Sequence, residues 1–424
     1  MFKKLAVLLI IVSLLILSTT AQAKKTIYFN TLFHSGDAQA MEKIVKLVND
    51  TQKDYFIDLT QGQWENYYAQ LFNAVVAGNP PNLGICHTNM LLSMKDALTP
   101  LDKSPAGDLL KIVGIDKKNY IPQLWKAANI DGKQYGVPLD THMWAMWYNK
   151  KIFKEAGLDP NNPPRNLSEL IKAAEAIKKA GYYAVHFAED ALPRKIMRAW
   201  YIFFWQLGGE LFDKDYTKAT FNNDKGLKAL KFLVDSIHKY KWNEPGTDGF
   251  KQFASGKLGI LFAGNWYYPT AVSAGIDFGV APIPKIFIYP RTWGNSHNLV
   301  IPKLPPNANP QDYIDAAKVL KLISENSHIW GIYGGHMPAY LPAKQNKELL
   351  ESDTWKRSLV VFSYMAENGY VHYPPNHPKA AELEQAIQSN IQLAYNGSIT
   401  PEEALKRAEA ECNRILNEYN AQKK

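Results

Sequence analysis

Ten histidines are scattered through the chain. His372 and His377 stand five apart around Pro374 and Pro375, so they do not share a helix face. A structural zinc wants more ligands than such a pair supplies. No metal site and no cofactor are expected. Gly256-Lys257 resembles the end of a phosphate loop, but Leu258 follows where Ser or Thr would be needed, and the upstream glycine spacing is wrong. Gly208-Gly209 does not lead from a strand into a helix, so it is no dinucleotide fingerprint. The sequence carries no G-x-S-x-G elbow and no H-E-x-x-H zinc helix. Carboxylates are abundant, but a glycosidase pair is defined by distance in space and not by spacing along the chain. No catalytic residue set is therefore assigned.

The rest of the composition sets the frame for these residues. At 424 residues the chain is long for one core, which predicts two domains or one two-lobed body. Hydrophobic residues at 46% and charged residues at 21% are the balance of a globular protein. The formal charge is +8, and +6 without Lys3 and Lys4. The positive charges are interleaved with acids, so no nucleic-acid partner is expected. Lys3 and Lys4, the apolar stretch Leu5 to Leu17 and the small-residue site Ala21-Gln-Ala23 follow the order of a secretory signal peptide. Residues 1–23 are read as that peptide, cut after Ala23, and no lipobox cysteine follows it. The expected location is periplasmic or secreted. Cys86 and Cys412 do not make a disulfide framework and read as buried or lone thiols, with a bridge between the two left open.

Strand signals cover Thr26 to Leu32, Tyr55 to Thr60, Leu83 to Cys86, Tyr135 to Leu139, Trp144 to Tyr148, Leu258 to Ala263 and Phe278 to Pro282. Helical periodicity covers Asp37 to Val48, Tyr67 to Val76, Leu167 to Ala180, Ile196 to Leu207, Gly226 to Tyr240 and Asp312 to Ser324. The stretch Pro378 to Tyr419 reads as mainly helical, with an N-cap, a proline and acids at Thr400-Pro-Glu-Glu403. Strands alternating with helices predict an α/β class with a parallel sheet. No low-complexity linker separates the halves, so short ordered segments must join them.

The order of segments resembles the family 1 extracellular solute-binding proteins of ABC importers, which include the maltose/maltodextrin-binding and other sugar-binding proteins. The resemblance rests on Ala77-Gly-Asn-Pro-Pro-Asn82, on Asp131-Gly-Lys-Gln-Tyr-Gly-Val-Pro138 and on Trp147-Tyr-Asn-Lys150. It continues through Phe153-Lys-Glu-Ala-Gly157, Pro163 to Leu170, Gln206 to Phe212, Phe253 to Gly259, Gly264-Asn-Trp266, Ala281-Pro-Ile-Pro284 and the Thr400 to Leu416 tail. The chain departs from the family pattern at Asn82-Leu83, where Asp-Val is usual.

The resemblance implies a two-lobed, type II periplasmic-binding-protein-like fold, with a ligand cleft between lobes joined by hinge crossings. Crossings are expected near Asp140, Arg291 and Gly331. That gives an N-terminal lobe of residues 24–139 plus 292–330 and a C-terminal lobe of residues 140–291 plus 331–424. It implies capture of a small carbohydrate, mono- or oligosaccharide, and delivery to ABC permease transmembrane subunits by a monomeric binder. An aromatic ring covers a sugar's C–H face, and carboxylates, amides and imidazoles bind its hydroxyls. With 11 Trp, 23 Tyr and 18 Phe, stacking groups are plentiful.

Trp266 is the leading candidate, at the position where similar proteins carry a cleft tryptophan. Asp140 and His142 belong to the first crossing, and Phe33 and His34 end the first strand. His87, Thr88 and Asn89 end the third strand; Asn89 stands where maltose-binding relatives have an acid, which argues against maltose itself. Trp64 is a candidate for stacking. Trp200 and Trp205 point to different helix faces, so at most one reaches the cleft. Trp293 and Asn295 lie near the second crossing. Gly335 and His336 lie near the third, where Gly334-Gly335 permits close backbone approach. Two alternatives stand beside this reading. One is the same fold binding a polyamine, an osmolyte or a glycerol phosphate; the other is a secreted carbohydrate-active enzyme.

Overall fold

Burial alternates along β1 (Lys25–Thr31), with Ile27, Phe29 and Thr31 inside, as a strand with one covered face requires. The computed structural model describes residues 24–64, 66–188 and 192–422. The signal peptide read at residues 1–23 lies outside them. Among the described residues no helix is long and apolar enough to cross a membrane.

The first sheet has the order β2 (Tyr55–Gln61), β1, β3 (Leu83–His87), β12 (His297–Val300), β6 (Val137–Pro138). β1 pairs in parallel with β2 and β3, while β12 runs antiparallel to β3 and β6. Helix α1 (Ser35–Thr51) covers this sheet with one face, burying Ala38, Met41, Ile44, Val45 and Val48. Phe29, Ile44, Leu83, Val137, Leu299 and Trp330 share its core. Fully burying each large side chain of this kind contributes about 1.5–3 kcal/mol.

The second sheet has the order β14 (Val371–His372), β11 (Thr292–Asn295), β7 (Asp140–Asn149), β9 (Leu258–Gly264), β8 (Tyr183–His186). Two strands, β10 (Phe278–Ala281) and β13 (Met337–Pro338), also pair with β7. All ten residues of β7 are buried. Its core includes the aromatic helix α2 (Pro193–Gln206) and the C-terminal helices Ala380–Tyr395 and Pro401–Ala421. The last of these starts as its sequence predicts: Thr400 Oγ1 accepts from the backbone N–H of Glu403 at 3.2 Å. A short hairpin, β4 (Asn129–Ile130) with β5 (Lys133–Gln134), stands apart from both sheets.

Two expectations about the strands change. The parallel sheet holds for β1, β2 and β3 and for the pair β8 and β9, but β7 runs antiparallel to β9, β10, β11 and β13. A strand that enters a sheet from the neighbouring lobe has no βαβ crossover to set it parallel. The predicted strand over Tyr135 to Leu139 shrinks to β6, where Pro138 has no N–H to donate and the sheet ends.

The chain switches sheets three times. It leaves β6 and enters β7 at Leu139-Asp140, and it leaves β11 and enters β12 at Ser296. Helix α3 (Ser327–Gly334) packs on α1, and the chain then turns through Gly335-His336 into β13, paired with β7. The second switch falls at Ser296, later than Arg291, because β11 still pairs with β7 through Gly294 and Asn295. Cys86 and Cys412 lie in different cores as free, buried thiols.

Candidate functional site

Asp140 begins β7 and is wholly buried at the meeting point of the three crossings. Its carboxylate gathers donors from each of them. From the first, His142 Nδ1 donates to Oδ1 at 3.0 Å. From the second, His297 donates its backbone N–H to Oδ1 at 3.1 Å and its Nδ1 to Oδ2 at 2.7 Å. From the third, Trp330 Nε1 donates to Oδ2 at 2.7 Å, and His336 Nδ1 lies 3.3 Å from Oδ2. His336 Nε2 meanwhile donates to Asp37 Oδ1 at 3.0 Å.

Burial would raise the Asp140 pKa, but His297, His142 and His336 together hold it well below the carboxylate range. Burial, reinforced by His297, lowers His142 to about 3. Burial, with His297, His142 and Arg198, also takes His87 well below an ordinary imidazole. His336 moves the other way: burial lowers it, but Asp37 and Asp140 outweigh that and raise it. The site therefore holds an ionised carboxylate close to His142 and His87, which are pushed down, and to His336, which is pushed up.

Above this cluster lies a cavity of about 200 Å³. Phe33, His34, Asp37, Trp64 and His87 line it from the first lobe, and Arg194, Lys195, Arg198, Phe250, Trp266 and Trp293 from the second. His142, His297 and His336 form its floor. Trp266 is half-buried, its ring 5.5 Å from that of His142 at 81° and parallel to that of His336 at 6.2 Å. The ring folds back over Gly264, where a Cβ would come within 2.2 Å of it. The three tryptophans each carry a cation from α2: Arg194 lies 4.4 Å from the Trp64 ring, Lys195 5.2 Å from Trp266 and Arg198 3.8 Å from Trp293. Burial, with the neighbouring Arg198, takes Lys195 well below an ordinary lysine.

Of the residues singled out from sequence, Phe33, His34, Trp64, His87, His142, Trp266, Trp293 and His336 line this cavity, with Asp140 directly beneath its floor. Others are placed differently. Asn295 Nδ2 donates to Asn89 Oδ1 at 2.9 Å, and Asn298 Nδ2 donates to Thr88 Oγ1 at 3.0 Å. These side chains bond to one another beside the second crossing, and Asn298 Oδ1 stays without a partner among the described residues. Gly335 takes φ of +73°, and its carbonyl accepts from Asn265 Nδ2 at 2.7 Å. A Cβ there would meet the Asn265 carbonyl at 2.5 Å, so this glycine is required by the turn itself. Trp200 does not reach the cleft: it is fully buried, stacked 5.2 Å from Phe204, and donates to the Gly226 carbonyl. Trp205 faces a separate groove beside His372. The reason is that α2 is buried on nearly all sides, so most of its aromatics are core.

Asp37, Arg194, Lys195, Arg198, Phe250 and His297 were not reached from sequence. Arg194 and Arg198 had a signal, since residues four apart share a helix face and both interrupt an aromatic helix. His297 stands two residues beyond Asn295 and becomes visible only once the crossing at Ser296 is placed. Asp140, His142, His297 and His336 are also a group able to hold a metal ion, their ligand atoms lying within 4.8 Å of one another.

The match to known proteins follows the same outline. Residues 34–320 match the family described as bacterial extracellular solute-binding protein. A putative binding protein of Brucella abortus is 24% identical over 417 residues, covering 95% of this chain and 96% of its own. The maltotriose-binding protein of Pyrococcus abyssi is 26% identical over 336 residues, covering 75% of this chain and 66% of its own. A Thermotoga lettingae ABC transporter solute-binding protein, solved with α-D-tagatose, superposes with a TM-score of 0.76 at 25% identity, covering 93% of this chain and all of that one. The Listeria monocytogenes ABC substrate-binding protein solved with cycloalternan has the same fold, with a TM-score of 0.78 at 20% identity and 93% and 99% coverage. With its two lobes, three crossings and cleft, this chain belongs to the bacterial extracellular solute-binding protein family.

Proposed function

We propose that the chain captures a small carbohydrate in the cleft between its lobes and delivers it unchanged to an ABC permease. The observation that carries this reading is the ring of Trp64, Trp266 and Trp293 around a floor of imidazoles. Indole faces cover the C–H side of a sugar, and imidazoles, Asp37 and His34 offer donors and acceptors to its hydroxyls. The relative named for maltotriose and the fold neighbour solved with tagatose support the same class. The cavity of about 200 Å³ is below the usual range for ligand sites, so this arrangement suits one sugar ring better than a long chain. We infer a monomeric binder, exported by its N-terminal signal peptide and acting outside the cytoplasm.

A second reading, an anionic solute such as a glycerol phosphate, draws on Arg194, Lys195 and Arg198 at one wall and on relatives named for sn-glycerol-3-phosphate binding. A polyamine fits that wall poorly, since like charges would face each other.

The test is a tryptophan-fluorescence titration with mono- and oligosaccharides and with glycerol 3-phosphate, followed by recovery of the ligand. A saturable change with one sugar, recovered intact, is the expected result. A response to glycerol 3-phosphate alone replaces the sugar, and a cleaved sugar replaces binding with hydrolysis.

A further inference from the structure

We propose that Asp140, His142, His297 and His336 form a four-coordinate site for a divalent transition-metal ion of the zinc class. Three imidazoles and one carboxylate are a nitrogen-rich donor set, suited to zinc and cobalt; calcium and magnesium want oxygen alone. All four side chains are buried.

The spacing fits. With metal–ligand bonds of about 2.0–2.1 Å, a tetrahedral ion holds its ligand atoms about 3.4 Å apart. Here the Nδ1 atoms of His297 and His336 lie 2.7 and 3.3 Å from Asp140 Oδ2, His142 Nδ1 lies 3.0 Å from Oδ1, and the four ligand atoms all lie within 4.8 Å of one another. Three imidazoles around such an ion place their ring centres about 5 Å apart. The rings of His142, His297 and His336 are 4.4, 5.5 and 5.6 Å apart. Small movements of side chains suffice to take the ion in.

His336 supplies a separate reason. Its Nε2 donates to Asp37, so in the neutral ring Nδ1 carries a lone pair. That Nδ1 is buried and makes no hydrogen bond, although Asp140 Oδ2 is 3.3 Å away. Two lone pairs facing each other in a buried site call for a cation between them. The cation is either a proton on Nδ1 or a metal ion, and uptake of a metal tells the two apart. To ligate through Nδ1, His142 and His297 must each present a lone pair there, with the ring proton on Nε2. The surroundings already hold the ligands in place: Asp37 orients His336, and Trp330 Nε1 and the His297 backbone N–H fix the carboxylate. Because the four ligands come from all three crossings, the ion ties the hinge at one point.

The experiment uses the untagged chain, stripped with chelator and titrated with Co²⁺ in the absence of sugar. The expected result is one ion per chain, with the intense visible bands of four-coordinate cobalt, bleached by one equivalent of Zn²⁺. His297→Gln and His336→Gln, with folding checked by circular dichroism, are expected to weaken uptake by at least about tenfold. Failure of the wild-type chain to take up one ion, weak bands of six-coordinate cobalt, or uptake unchanged in both variants overturns the proposal. If neither variant folds, the wild-type stoichiometry and band intensity decide alone. The titration contains no carbohydrate, so its failure leaves the sugar reading untouched.

Discussion

Trp330 Nε1 donates to Asp140 Oδ2 at 2.7 Å, joining the helix before the third crossing to the strand that begins at the first. The acceptor is an ionised carboxylate in a dry site, where such a bond is strong. Trp330→Phe keeps the aromatic packing against Phe33 and His336 but removes the donor. It is expected to lower unfolding free energy by about 1.5–3 kcal/mol, measured by denaturant titration. An unchanged midpoint would show that the other donors compensate.

Trp266 is the cleft ring with most neighbours among the floor histidines and Trp293. Under the carbohydrate reading, Trp266→Ala removes a stacking face worth about 2 kcal/mol, or roughly 30-fold in affinity. Calorimetry with the sugar found by fluorescence measures it directly. Affinity within twofold of wild type, by the same scale, would move the stacking role to Trp64 or Trp293.

Gly264→Ala places a methyl carbon where the Trp266 ring lies, within 2.2 Å. The ring must swing away while the strand remains. The variant is expected to lose sugar affinity in the same direction as Trp266→Ala and by no more than that variant. Crystallography of Gly264→Ala with Trp266 unmoved would remove the explanation.

Glu384 sits on the helix Ala380–Tyr395, and burial pushes its carboxyl up to about 7, against the opposing pull of Arg198. The unfolded value is about 4.3. A group whose folded pKa is raised stabilises the fold below the unfolded value and loses that contribution as pH rises through the folded one. Stability is therefore expected to decline between about pH 4.3 and pH 7 from this group. Glu384→Gln should flatten that decline and be relatively more stable at pH 8 than at pH 5. Equal slopes in both proteins, followed by thermal unfolding, would refute it.

Much of this was legible in the residues. The periodicity of Met41, Ile44, Val45 and Val48 placed α1, and the Thr400-Pro401 start placed the final helix. Trp266 and His336 could be named because each follows a glycine-marked turn or strand end, where local chemistry is visible. The histidine cluster was not legible, because His142, His297 and His336 are far apart in the chain and meet only through three crossings. Trp200 misled for the opposite reason. An aromatic helix reads the same whether it lines a cavity or fills a core, and only the packing of the helix Ala380–Tyr395 against α2 decides.

Asp140 lies where all three connections meet, and that position has a mechanical meaning. In a rotation of one body about another, points near the axis barely move and distant points travel in proportion to their radius. If the lobes turn about these connections, the distances around Asp140 change little. The arm is longer away from that point, and across the cavity Arg194 of one lobe lies over the ring of Trp64 of the other. This pair acts as a clasp between the lobes: an angular opening at the pivot draws it apart, while the buried carboxylate keeps its company.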